Sequence, residues 1–321
     1  MIVTVAPFPS IEYIYQIDRL MPHCEIEASH VSLSILSKCI HSAEIIKILQ
    51  GEPLLLSSLG GFAGKYIKHY LDKAKIKSDI IWSDLETPHK MKIVLESSSD
   101  TYLLQAGQGQ FAQSEALHKR MIKLTQKLRT YLNQVSTLVI GGYLPDCIED
   151  DFYGLWIKEA KKYNIKTLIS TGQPKLLEKV IEESPYALLF TEKQLETLGI
   201  VYANEHELLT QLLPYFDKGI HYIGLYLKEK GAYMLSKHKL CAISFHNQVS
   251  LSKENTAASG AFLGAFAIGI QRKYEQEKFF KMCTAAALVA CCDVDRPLCS
   301  KKDVDTFAKK LKIREINLSS F

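Results

Sequence analysis

The chain has 321 residues, of which 47% are hydrophobic and 23% are charged, and its formal net charge is +4. This balance is typical of a globular protein, and the length suffices for one large α/β domain or two smaller ones. The basic residues are dispersed along the chain, so we expect no nucleic-acid partner.

The first segment, residues 1–5, is strand-like and lacks the basic region of a signal peptide. The longest apolar stretch, residues 257–270, is too short and too rich in glycine to span a bilayer, so we expect no membrane association. Eight cysteines without paired spacing favour reduced, buried thiols over disulfides or a zinc site. These features predict a cytoplasmic protein without a metal-ligand set.

Short hydrophobic runs alternate with helical patterns along most of the chain. Strands are predicted at residues 2–6, 54–59, 138–140, 167–169, 188–191 and 223–227. Helices are predicted at residues 42–49, 114–133 and 277–292, and a further helix follows residue 256. Weaker strand patterns occur at residues 25–35, 80–82, 91–95 and 101–104. The alternation, with glycine turns after several strands, is typical of a doubly wound sheet.

The most informative stretch is residues 254–266, where a turn of small residues leads into an apolar helix. Small residues at such a junction let backbone N–H groups converge, and the helix dipole adds partial positive charge. A tightly packed core helix would give a similar local pattern. We interpret Ala257, Ala258, Ser259 and Gly260 as a candidate anion hole.

Residues 256–262 resemble the signature T-[GA]-A-G-D-[AST]-F of the PfkB/ribokinase family of carbohydrate kinases. In the ungapped register Gly260 stands at the catalytic aspartate of the family, and a register shifted by one residue puts Ala261 there. Neither register supplies a carboxylate. Further similarities follow in the correct order over nearly the whole chain, and they are closest to the 1-phosphofructokinase and tagatose-6-phosphate kinase branch.

The resemblance implies a ribokinase-like α/β fold, with a doubly wound sheet flanked by helices and a small β-sheet lid. Residues 1–321 would form one domain, and the lid would be inserted at about residues 10–35 and 78–106. A homodimer through the lid is a further expectation.

Four residues match positions that bind substrate in the family. Glu12 stands near the place of a sugar-binding aspartate, Lys38 keeps the lysine of G-G-K-G-x-N, and Lys90 replaces a phosphate-gripping arginine. His41 replaces the asparagine that contacts a sugar hydroxyl. The alternatives are a solvated turn acid for Glu12, a structural histidine for His41 and an exposed lysine for Lys90.

The resemblance also implies ATP and magnesium as cofactors. On the nucleotide side, Gly231 keeps a family glycine, whereas Lys228 replaces another and stands either near phosphate or in a solvated hairpin turn. Residues 188–191 stand for the K-P-N of the family, and both the lysine and the asparagine that supports the magnesium side are missing. Departures on both sides put the retention of ATP and magnesium in doubt.

Three hypotheses follow from this pattern. The first is a kinase-fold protein with little or no activity, which binds a sugar phosphate or another anion. The second is an active phosphosugar kinase with a relocated base, for which Glu12 and Glu254 are candidates. The third is a structural or partner-binding protein in which the lid pairs two subunits.

Overall fold

The computed structural model of the protein describes residues 1–98, 100–106, 114–227, 231–244, 256–291 and 300–318. The strands are β1 Ile2–Ala6, β2 Ser10–Ile17, β3 His30–Leu36, β4 Pro53–Leu59, β5 Lys77–Trp82, β6 His89–Leu95, β7 Thr101–Ala106, β8 Thr137–Gly141, β9 Lys166–Ser170, β10 Ala187–Thr191, β11 Tyr222–Tyr226, β12 Ala232–Leu235, β13 Lys239–Ile243 and β14 Arg314–Asn317. The helices are α1 Lys38–Ile48, α2 Gly61–Lys73, α3 Ser114–Tyr131, α4 Phe152–Lys161, α5 Pro174–Glu182, α6 Glu192–Thr197, α7 Glu205–Leu212, α8 Pro214–Asp217, α9 Thr256–Arg272, α10 Gln276–Cys291 and α11 Lys301–Lys310.

The large sheet has ten strands in the order β14-β13-β12-β11-β10-β9-β8-β1-β4-β5. The strands from β11 to β5 in this order are parallel to their neighbours, and β12, β13 and β14 extend the sheet by antiparallel pairing. The parallel strands are hydrophobic along most of their length because helices cover both faces. The expected doubly wound sheet is confirmed.

Alternate residues of β1 define the two faces of this sheet. Ile2 and Ala6 pack into a core that includes residues of α1, α2, α9 and α10. Val3 and Val5 pack into a second core, built with residues of α3, α4, α5 and α7. The period of two along the strand thus separates two apolar layers, one on each side of the sheet.

The small sheet has four strands in the order β3-β2-β6-β7. Its presence agrees with the expected second sheet, but one boundary differs. We expected the second lid segment to start at about residue 78, whereas β5 pairs in parallel with β4 at the edge of the large sheet. The small-sheet strand in this part of the chain starts at His89.

Helix α1 begins four residues earlier than the predicted start at residue 42. Ser37 has an extended backbone, and its hydroxyl accepts a hydrogen bond from the Ile40 amide at 3.4 Å. This is the geometry of an N-cap. The earlier start places Lys38 and His41 in the first turn of α1.

Within the described residues, no helix combines the length and the apolar composition that a membrane crossing requires.

Candidate ligand site at the carboxyl ends of the parallel strands

The first turns of α1 and α9 lie side by side at the carboxyl ends of the central strands. Cys39 in α1 lies with its sulfur 3.6 Å from the carbonyl oxygen of Gly141, the last residue of β8. A Cβ atom built on Gly260 would lie 3.2 Å from the Cα atom of Lys38. Ligands of open α/β sheets bind outside this edge, so we call these residues, with Ser170 and Gln194, the strand-end site.

Lys38 connects three elements of the strand-end site. Its Nζ atom donates to the hydroxyl of Ser170 at the end of β9, at 3.2 Å, and to the Oε1 atom of Gln194 in α6, at 2.6 Å. The ammonium is therefore held in place by neutral oxygen atoms next to two helix N-termini. Positive charge from both dipoles and from the lysine favours an anion here.

Gln194 has a second role at the start of α6. It forms a capping box with Thr191, in which each side chain accepts from the other residue's backbone amide. This capping box orders the chain after β10, and it thereby fixes the Gln194 oxygen that accepts a hydrogen bond from Lys38.

The first turn of α9 contains the candidate anion hole at residues 257–260. The leading amides of a helix have no carbonyl partner within their own helix, which makes such a turn suited to an anion. The Ser259 hydroxyl donates back to the carbonyl of Thr256 at 3.1 Å. Ser259 therefore uses its proton inside the helix.

At both positions considered for the catalytic aspartate, other parts of the protein occupy the space next to the residue. A Cβ atom at Gly260 would meet the carbonyl oxygen of Lys38 at 2.7 Å and the Cβ atom of His41 at 2.6 Å. Ala261 is 3% exposed and belongs to the hydrophobic core. The packing of α1 on α9 thus occupies the space next to residue 260 with backbone.

His41 makes two hydrogen bonds inside the protein. Its Nδ1 atom lies 2.7 Å from the Oε2 atom of Glu44, and its Nε2 atom lies 2.8 Å from the carbonyl oxygen of Ile35. The hydroxyl of Tyr70 in α2 donates to the other oxygen of Glu44. Both ring nitrogens are therefore engaged by protein acceptors.

Burial by itself lowers the pKa of His41, but the hydrogen bond and charge of Glu44, with the carbonyl of Ile35, raise that pKa above its ordinary value of 6.5. Because both ring nitrogens face acceptors, the imidazolium is the form that this environment favours. His41 joins the end of β3 to α1 and, through Glu44 and Tyr70, to α2. These contacts match the structural alternative for this histidine.

Cys39 also lies in the strand-end site. Burial raises the pKa of its thiol to about 12, against smaller opposing effects of the Lys38 charge and of backbone hydrogen bonds. The thiol is therefore protonated at neutral pH and is not poised as a nucleophile.

Glu12 and Lys90 belong to the small sheet. They are paired neighbours on β2 and β6, so opposite charges stand side by side on one face of that sheet. Ile11 and Tyr13 alternate with Glu12 and pack toward the core beneath the other face. Glu12 and Lys90 thus lie on one face of the small sheet, whereas Lys38 and His41 belong to α1.

Gly231 directly precedes β12. Its φ angle is +114°, and a Cβ atom there would lie 2.1 Å from the carbonyl oxygen of Ile243. Only glycine fits this close approach to β13. Lys228, its predicted partner on the nucleotide side, and Glu254 lie outside the described residues.

Sequence reasoning did not identify Ser170 as a contact residue, and it missed Gln194. Both lie more than 100 positions from Lys38 in the chain. The available signal was their place directly after the predicted strands at residues 167–169 and 188–191, since carboxyl ends of parallel strands meet at one edge. The His41–Glu44 pair carries a clearer signal, the i, i+3 spacing on one helix face.

Two clefts in the described part of the chain lie away from the strand-end site. One, of about 360 Å³, is lined by aromatic and basic residues that include Tyr186, His221 and His238 at the amino ends of β10 and β11. Another, of about 380 Å³, lies between α3 and Ile81 of β5. We assign the candidate chemistry to the strand-end site on its charge and helix termini, not on cavity size.

The architecture is the ribokinase-like α/β fold. Phosphofructokinase-2 from Escherichia coli, solved in complex with fructose-6-phosphate, superposes with a TM-score of 0.78 at 16% identity, over 96% of this chain and 98% of that chain. A structure from Thermotoga maritima, named as a possible 1-phosphofructokinase, gives a TM-score of 0.77 at 14% identity, over 98% of this chain and 99% of that chain. The fold expected from the sequence is confirmed.

Sequence relatives cover the same length. The chain is 23% identical to 1-phosphofructokinase of Borreliella burgdorferi, over 99% of this chain and 100% of the relative. It is 21% identical to tagatose-6-phosphate kinase of Staphylococcus epidermidis, over 98% of this chain and 100% of the relative. No family model matches the chain. These similarities are to phosphosugar kinases, in agreement with the resemblance seen in the motifs.

Proposed function

We propose that this protein binds a sugar phosphate or a related anion at the strand-end site and has little or no phosphoryl-transfer activity. The single observation that carries the proposal is at residue 260, where α1 backbone lies against a glycine at the place of the general base. Loss of a general base costs roughly 10²–10⁴-fold in rate. The full-length similarity to phosphosugar kinases supports the ligand class.

The anion would be held by charge and by N–H donors. Lys38 offers an ammonium held in place by hydrogen bonds, and the first turns of α1 and α9 offer backbone N–H donors. Glu12 and Lys90 on the small sheet are the proposed contacts to the rest of the sugar phosphate. His41 would contribute indirectly, by fixing the position of β3 relative to α1.

The described residues offer no ready-made cage of metal ligands, although magnesium can be held through ligand phosphates and one or two carboxylates. The described residues contain no group of three His, Cys, Asp or Glu side chains that could hold a metal ion. Thr191, in the stretch that stands for K-P-N, uses its hydroxyl to cap α6. We therefore derive no step through magnesium. ATP binding near Gly231 remains part of the second candidate function.

That second candidate is an active phosphosugar kinase with a relocated base. The relatives with full-length similarity are named as kinases, which favours it. Glu12 and Glu254 are its candidate bases. It predicts turnover that Glu12→Ala or Glu254→Ala abolishes, and unchanged rates in both variants would reject these two residues.

One experiment separates the two candidates. Purified protein is assayed for ATP- and magnesium-dependent phosphorylation of fructose 1-phosphate, fructose 6-phosphate and tagatose 6-phosphate, and its melting temperature is measured with each compound. We expect a rise in melting temperature with a sugar phosphate, because ligand binding stabilises the folded state, and no turnover. Substantial turnover would overturn the proposal.

Matched lysine variants locate the binding. Lys38→Met should abolish the stabilisation by the sugar phosphate, whereas Lys218→Met, which changes an exposed lysine after α8, should retain it. Equal stabilisation in both variants would exclude the strand-end site as the location.

We further propose that the small sheet pairs two copies of the chain. Strand β7 at its edge carries three consecutive apolar residues with high exposure, namely Tyr102 at 46%, Leu103 at 67% and Leu104 at 56%. An exposed apolar edge strand favours association with another chain.

A further inference from the structure

Arg120 lies on the buried face of α3. The neighbouring inward positions of this helix are apolar and fully buried, at Leu117, Met121, Leu124 and Leu128. Arg120 itself is only 5% exposed. A guanidinium in such a layer needs partners for its charge and for its N–H groups.

The partners in the structure satisfy only part of the guanidinium. Nε donates to the hydroxyl of Ser58 at 2.8 Å, and Nη2 donates to the carbonyl of Ser58 at 3.1 Å. The ring of Phe8 covers one face, with its centroid 5.3 Å from Cζ. Nη1 is buried and has no hydrogen-bond partner among the residues that the structure describes.

The charge of Arg120 is uncompensated as well. No acidic side chain within the described part of the chain forms an ion pair with it. Burial lowers its pKa to about 10, which still leaves it charged at neutral pH. A buried charge without a counter-charge is strongly unfavourable, so an anionic partner would stabilise the folded protein.

The guanidinium lies where the two sheets meet. Ser58 is next to the carboxyl end of β4, and Phe8 lies in the link from β1 to β2. Side chains of a helix lean toward its N-terminus, which directs Arg120 to this edge of the large sheet. Lys38 lies on the opposite face, because α1 and α3 belong to different cores.

We propose that Arg120 binds an oxyanion, the carboxylate or phosphate group of a ligand, at the junction of the two sheets. Nη1 supplies the unpartnered donor, Ser58 fixes the plane of the guanidinium, and Phe8 packs on one face of that plane. The fork geometry of arginine suits two oxygens of one anion. This site is separate from the strand-end site and does not depend on the function proposed for it.

The test uses the full chain carrying Lys38→Met, which removes the response of the strand-end site. The melting temperature is measured against inorganic phosphate and against acetate, with ionic strength held constant by sodium chloride. We expect a saturable rise with at least one anion. Adding Arg120→Met should abolish the rise, and Arg120→Lys should weaken apparent affinity by at least about tenfold.

Two controls address general charge effects and the case in which Arg120→Met does not fold. Lys123→Met, an exposed residue of the same helix, should leave the rise unchanged and accounts for general charge effects. If Arg120→Met does not fold, the ¹⁵N signal of Arg120 Nε, assigned by its loss in Arg120→Lys, should shift with the anion. A rise that is equal with and without Arg120, or no rise and no shift, would overturn the proposal.

Discussion

A glycine at residue 260 sets how closely α1 and α9 approach. The hydroxyl of Ser42 lies 2.9 Å from the carbonyl of Gly260 and 2.8 Å from that of Lys38. One turn later, a Cβ atom at Gly264 would lie 2.5 Å from the carbonyl of Ser42. The two helices therefore touch backbone to backbone at both glycines.

Gly260→Ala tests this contact. Although alanine favours a helix over glycine by about 1 kcal/mol, we expect destabilisation of about 1–3 kcal/mol from overpacking against Lys38 and His41. Chemical denaturation measures the difference. Ser259→Ala, one position earlier, should change stability by less than about 1.5 kcal/mol, and a stabilised Gly260→Ala would contradict the close packing.

Gly260→Asp addresses function at the same residue. Because α1 backbone occupies the adjacent space, the added carboxylate should destabilise the protein by at least about 1–3 kcal/mol and should not create kinase turnover. Denaturation and the coupled kinase assay check both parts. A gain of turnover would show that the scaffold needs only this one residue.

His41 makes stability depend on pH. Its pKa is raised in the folded protein, so its contribution is complete below the unfolded value of 6.5 and is lost as pH rises through the folded value. We expect His41→Gln and Glu44→Gln each to reduce this alkaline loss, because each removes the pair. Denaturation midpoints from pH 6 upward measure it, and an advantage of the wild type that grows with pH would refute the assignment.

At the scale of elements, β7 gives the sharpest prediction. Leu103→Glu places a charge on its most exposed apolar residue, and we expect it to weaken self-association at least about tenfold. Sedimentation over a concentration series measures this. Val201→Glu, at an apolar residue that is 78% exposed in another part of the surface, serves as the matched control. A wild type that stays monomeric throughout would exclude the pairing.

Elements of the large sheet were predictable where hydrophobic runs ended in glycine turns, as in β4 and β8. The sequence alone does not place β5 in the large sheet, because a short apolar run does not reveal its pairing partner. The predicted start of α1 at residue 42 is too late, because the pattern of apolar residues does not mark Ser37 as the cap.

The candidate site was predictable only in part. Lys38 was identified from its motif, but its contacts with Ser170 and Gln194 depend on the packing of distant segments. Arg120 is recognisable from the sequence, because it is a charged residue within the apolar stripe of an amphipathic helix. What that charge pairs with cannot be read from local sequence.

At the scale of the molecule, the large sheet separates two cores but joins them through shared strands. We therefore expect one cooperative unfolding transition. The two tryptophans report on distant places: Trp82 is half exposed on the edge strand β5, and Trp156 is fully buried in α4.

Single-tryptophan variants check this cooperativity. In Trp82→Phe and in Trp156→Phe, the fluorescence midpoint of the remaining tryptophan should coincide with the circular dichroism midpoint of the same variant. Comparison within each variant removes the stability cost of the substitution. Separate midpoints would divide the chain into two folding units, against the expected single domain of residues 1–321.

The glycine contact between α1 and α9 also limits how the protein can change shape. Sliding one helix along the other would press Cβ-bearing residues of α9 into the backbone of α1, so shear between them is blocked. The first turns of α1 and α9, which carry Lys38 and the candidate anion hole, should therefore keep their relative positions when a ligand binds.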